Sequence, residues 1–147
     1  DPNFILGDIT KMNKIYFLCT GNSCRSQMAE GYARIFLKDK YEIQSAGLEA
    51  HGVNPLAIEV MAEDNIDISH QYSKTIDPHY FKTANLIVTL CGDAKDRCPV
   101  IAPPTHSIYW PLPDPAQATG TPEQQLQIFR QVRNEIKQRI LALASNP

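Results

Sequence analysis

The chain has 147 residues, of which 43% are hydrophobic and 20% charged, enough apolar material for a single core and a single domain. Fourteen Lys and Arg against sixteen Asp and Glu give a net charge of -2, so no global field recruits nucleic acid or an anionic membrane, and any anion site must be local. No apolar stretch approaches the roughly 20 residues of a membrane span and no charged-then-apolar leader opens the chain, so the expectation is a soluble, cytoplasmic protein.

Residues 1–11 carry no periodicity and read as an expression remnant ahead of Met12. A β-rich apolar run at 14–18 (KIYFL) predicts a buried strand ending at Cys19. The turn-rich stretch 20–26 follows. Met28, Ala29, Tyr32, Ala33 and Phe36 then recur at helical spacing, which predicts a helix from about Ser26. A second strand is expected at 42–46 (EIQSA), closed by Gly47. Asn54 and Pro55 supply an N-cap and a first helical residue for a helix to about Glu63.

Asp77 and Pro78 begin another short helix to about Thr83, and residues 85–90 (NLIVTL) form the clearest buried strand, with Cys91 at its end. Residues 106–110 (HSIYW) predict a fourth strand, and the proline-rich 111–120 a loop, because proline removes ladder donors. Thr121 and Gln124 form a capping box before a long helix striped by Leu126, Phe129, Val132, Ile136 and Ile140. Alternating strands and helices imply an α/β fold, a mostly parallel sheet with helices on both faces. Ligands of such folds gather at the carboxyl ends of the strands, where Cys19, Cys91 and the segment after Trp110 all fall.

The segment 19–26 (CTGNSCRS) sets a Cys and an Arg five residues apart between a strand and a helix. Gly21 and Asn22 can adopt backbone angles that turn successive N–H groups inward, and the helix start adds its positive end, so Thr20, Gly21, Asn22, Ser23, Cys24, Arg25 and Ser26 are the expected oxyanion-binding residues. Arg25 can offer two parallel donors to a phosphate-like group. Cysteines beside a helix start and an arginine are activated as thiolates, which makes Cys19 the candidate nucleophile with Ser26 a further donor to it. The Cys24 side chain should point away from the cradle and serve packing.

Asp114, between Pro113 and Pro115, is either a turn residue or a rigidly held general acid for the leaving oxygen. Cys91 and Cys98 are either unrelated thiols or a redox relay. With neither C-x2-C nor a His pair at ligand spacing, no metal is expected. His51, His70, His79 and His106 are scattered and read as loop or surface residues.

The segments CTGNSCRSQMAEG at 19–31, SAG at 45–47, HGVNP at 51–55, DIS at 67–69, VTLCGDA at 88–94, CP at 98–99 and DPA at 114–116 resemble the thioredoxin-coupled arsenate reductases, from Met12 nearly to the end. That resemblance implies the low-molecular-weight tyrosine phosphatase fold, with a four-stranded parallel sheet of order 2-1-3-4, and 12–147 as a single catalytic domain. It further implies that Cys19 attacks arsenate held by the loop and Arg25 while Asp114 protonates the departing oxygen. Cys91 then attacks Cys19, expelling arsenite, Cys98 attacks Cys91, and thioredoxin reduces the resulting Cys91–Cys98 disulfide. The implied protein is a monomer with no bound cofactor.

Some relatives are reported to bind potassium near the anion loop through an acid beside the position of Ser73. Lys74 stands there in this chain, and its ammonium is expected to fill the cation's place. Two other readings share the loop: a tyrosine phosphatase, against which stands Ala116 where phosphatases of this fold usually place an aromatic, and a non-catalytic redox sensor.

Overall fold

A computed structural model describes residues 13–92 and 106–145. The order of elements is strand β1 (Asn13–Cys19), helix α1 (Arg25–Phe36), strand β2 (Tyr41–Gly47), helices α2 (Pro55–Glu63) and α3 (Pro78–Thr83), strands β3 (Leu86–Thr89) and β4 (His106–Tyr109), a 3-10 turn (Pro115–Gln117) and helix α4 (Pro122–Ser145). The strands form one sheet of order β2-β1-β3-β4 with every neighbour parallel, as expected. The expected remnant at 1–11 and Cys98 lie outside the described residues.

Side chains alternate across β1, and the two faces are covered unequally. Ile15 and Phe17 join Met28 and Tyr32 of α1, Val60 and Met61 of α2, and Phe129, Val132, Ile136 and Ile140 of α4 in the larger core. Tyr16 and Leu18 face the other way, onto Ala46, Ala84, Ile87 and the flank of α3. The stripe read from the C-terminal helix is therefore its buried face, apart from Leu126, which packs at the margin.

Local chemistry sets the helix starts. Asn54 Oδ1 accepts from Leu56 N (2.8 Å) with Pro55 at the first helical position, and Asp77 caps α3 in the same way ahead of Pro78. At the start of α4, Thr121 Oγ1 accepts from Gln124 N (3.1 Å) while Gln124 Oε1 accepts from Thr121 N (2.8 Å), the expected capping box. β3 is shorter than expected, but Leu90 N still donates to Leu18 O (2.8 Å), so the β1–β3 pairing extends one residue beyond the regular ladder. Among the described residues, no helix is long and apolar enough to cross a membrane.

Candidate active site

The first strand of the chain is an inner strand, with β2 on one side and β3 on the other, so successive crossovers leave β1 in opposite directions and open a crevice at its carboxyl end. Cys19 ends β1 there, and the loop to α1 occupies the crevice.

Each carbonyl of that loop is tied outward. Thr20 O accepts from Glu49 N (2.9 Å), Gly21 O from His51 N (3.0 Å), and Ser23 O from Asn54 N (3.1 Å). Ser73 Oγ lies 3.1 Å from Gly21 O and 2.7 Å from Asn22 O, and Gln27 Nε2 also donates to Asn22 O (3.1 Å). In a trans peptide the next N–H points opposite to the carbonyl, so the amides of residues 21–24 turn together to the inner side, the arrangement that binds anions. The start of α1 at Arg25 adds the positive end of a helix.

The turn itself is made by Asn22, whose φ of 48° lies in the left-handed region that asparagine tolerates. Gly21 is not left-handed. A Cβ there would meet the His51 imidazole, which would have to move aside. Gly47, at the end of β2, is likewise pressed onto the loop, where a Cβ would stand 2.7 Å from Asn22 N and 2.8 Å from Thr20 O.

Asn22 also ties two hydroxyls to the loop. Its Oδ1 accepts from the Lys74 backbone N–H (2.9 Å) and Gln27 Nε2 (2.9 Å), which settles the orientation of the amide. Its Nδ2 then donates to Ser26 Oγ (2.7 Å) and Ser45 Oγ (3.0 Å). Ser45 Oγ in turn donates to Glu30 Oε1, and Ser26 Oγ lies 2.8 Å from Cys19 Sγ. The Cys19 sulfur is itself buried.

Arg25, the first residue of α1, is almost wholly buried and donates through Nη1 to Leu112 O (3.0 Å), with Nη2 3.7 Å from Asp114 Oδ2. Asp114 does two things at once: Oδ1 caps the 3-10 turn by accepting from Ala116 N (3.0 Å), with Pro115 first in that turn, while Oδ2 faces the guanidinium. Asp114 is thus a turn cap that also faces Arg25. Cys24 is buried, and burial first, then the Asp114 charge, push its thiol up to about 12, so it stays protonated at neutral pH.

Cys91 lies two residues past the end of β3 and is fully buried. Because Leu18 pairs with Thr89 and β1 and β3 are parallel neighbours, Cys19 and Cys91 leave the same edge of the sheet on adjacent strands, whose spacing is about 4.8 Å. Several partners of the loop were not singled out from the residues alone: Gln27, Glu30, Ser45, Gln71, Ser73 and His51. Gln71 donates to Gln27 Oε1 (2.7 Å), and Lys74 Nζ lies 3.6 Å from the buried carboxylate of Glu30 and donates to Tyr72 O (3.2 Å). Burial lowers the Lys74 pKa, with Glu30 opposing that shift.

Residues 14–146 match the family model of the low molecular weight phosphotyrosine protein phosphatases. An arsenate reductase of Bacillus licheniformis is 53% identical over 130 residues, spanning 88% of this chain and 94% of that relative. A solved arsenate reductase in the phosphate binding state superimposes with a TM-score of 0.72 at 36% identity, covering 91% of this chain and 98% of that one. A thioredoxin-dependent arsenate reductase of Corynebacterium glutamicum gives a TM-score of 0.69 at 25% identity, over 94% of this chain and 63% of that one.

Proposed function

From the premise that this chain belongs to the low molecular weight phosphotyrosine protein phosphatase family, we propose that it works as a thioredoxin-coupled arsenate reductase. The oxyanion sits against the inward amides of the 19–26 loop, and Arg25 forks onto two of its oxygens. The Cys19 thiolate attacks arsenic. As the S–As bond forms, an As–O bond breaks and Asp114 gives its proton to the departing oxygen, which leaves as water.

Cys91 then attacks the Cys19 sulfur. The S–As bond breaks with its electron pair remaining on arsenic, so As(V) becomes As(III), arsenite departs, and the two thiols are oxidised to a disulfide. Cys98 attacks Cys91, releasing the Cys19 thiolate, and the dithiol of thioredoxin returns the two electrons. The enzyme acts as a monomer in the cytoplasm, without a resident metal or cofactor.

The observation that carries this reading over simple phosphate-ester hydrolysis is Cys91, a buried thiol outside the 19–26 loop at the same sheet edge as the nucleophile. A phosphatase, whose intermediate is resolved by water, has no use for it. The test is arsenate-dependent NADPH oxidation in the presence of thioredoxin and thioredoxin reductase, run beside an aryl-phosphate assay. Steady oxidation with at most weak phosphatase side activity supports the reading. Aryl-phosphate hydrolysis without any response to arsenate overturns it in favour of a phosphatase.

A further inference from the structure

Gly92, directly after Cys91, meets the backbone of Leu112. A Cβ at position 92 would stand 2.6 Å from both Leu112 N and Leu112 O and 2.8 Å from Leu112 C. The Gly92 φ lies outside the left-handed region, so the collision, and not a left-handed φ, is what opposes a side chain there. Peptide atoms, unlike a side chain, cannot rotate aside.

Leu112 is poorly placed to absorb a push. Pro111, Pro113 and Pro115 restrict the segment at alternate residues, Trp110 N is pinned to Thr89 O (2.8 Å), and the Leu112 side chain is itself buried in the larger core. A displacement there passes to the two groups the segment carries: the Leu112 carbonyl, which holds Arg25 Nη1 at 3.0 Å, and Asp114, which faces Arg25 Nη2.

We infer that Gly92 is a positioning residue: its lack of a side chain sets Leu112, and through the Leu112 carbonyl it aims the Arg25 fork at the oxyanion and holds Asp114 beside it. The strand end that carries Cys91 and the segment that carries the acid are thereby registered against each other by one backbone contact. This rests on Arg25 being the oxyanion fork, as proposed above. Bidentate recognition tolerates little misalignment, so a displaced fork lowers oxyanion affinity even with every charged group intact.

The test is the dissociation constant of inorganic phosphate, read from its protection of Cys19 against iodoacetamide by peptide mass mapping, which requires no arsenate turnover. Gly92→Ala is compared with Gly31→Ala, whose Cβ would meet side-chain atoms of Ile68 (2.7 Å) and Met61 (2.9 Å) in the core. Both substitutions should lower the melting temperature. Only Gly92→Ala should weaken phosphate binding, by at least about tenfold, whereas a constant equal to the wild type's overturns the inference. No phosphate protection in the wild type would instead defeat the oxyanion reading itself.

A second measurement needs no variant. Titrating the wild type with phosphate should shift the NMR signals of the Leu112 carbonyl carbon and the Gly92 amide with the midpoint seen for Cys19 protection. A Gly92 signal that stays fixed at saturating phosphate contradicts the coupling.

Discussion

Asn22 uses both amide hydrogens and both lone pairs of its side chain within the protein, and one of those hydrogens holds Ser26 beside Cys19. A serine beside a cysteine can donate or accept. Here the Asn22 amide takes one lone pair of the oxygen, and the hydroxyl lies 2.8 Å from the sulfur. A hydrogen bond to a charged group is worth about 1.5–3 kcal/mol, so Ser26→Ala should slow Cys19 alkylation at neutral pH, and arsenate turnover with it, by at least about tenfold. Unchanged alkylation would mean that the 2.8 Å contact plays no part in the reactivity of Cys19. Cys24, held protonated by burial, should stay unmodified under the same conditions.

At the level of elements, α2 and α4 are clamped by Glu63, which accepts from Arg130 (2.8 Å) and Arg133 (2.8 Å), beside the Asp64–Lys137 pair (2.9 Å). The Glu63 pKa is lowered chiefly by its hydrogen bond from Arg130, and that of Asp64 chiefly by Lys137. A carboxylate with a depressed folded-state pKa binds fewer protons folded than unfolded, so its contribution is full above the unfolded value, near 4.5 for Glu63, and is lost as the pH falls through the folded value. Glu63→Gln should therefore lower the melting temperature at pH 7, modestly because the pair is part-exposed, and the two curves should converge in acid. Parallel curves would show that Glu63 contributes no charge interaction. Where the segment 71–75 meets the anion loop, Lys74 places an ammonium beside Glu30. The melting temperature should accordingly rise no more in potassium than in sodium at equal ionic strength, and a selective rise in potassium would refute that role for Lys74.

For the molecule as a whole, what could be read from the sequence divides along the range of the interactions involved. The strand-helix alternation, the caps at Asn54, Asp77 and Thr121 and the stripe on α4 are local signals, and the sheet order follows the fold that the sequence resembles. Cys19, Arg25 and Ser26 were legible because the cradle is built from consecutive residues. Its outer support was not: Gln27 and Glu30 stand on α1 without a signature of their own, and Ser45, Ser73 and the backbone of 49–54 reach the loop only once β2 and the segment behind it have packed. The Leu112 carbonyl that holds Arg25 has no side-chain signature at all. Of Gly21 and Asn22, the two residues expected to turn the loop amides inward, Asn22 is the one in the left-handed region, while a Cβ at Gly21 would meet the His51 ring.

The central claim is that three thiols pass one oxidation along the chain, and Cys98→Ser tests it most directly. Given arsenate and no external reductant, this variant should release about one equivalent of arsenite per chain. Peptide mapping should then find Cys19 joined to Cys91. Continued turnover of the variant with thioredoxin, or arsenite release that leaves Cys19 and Cys91 both reduced, would contradict the relay.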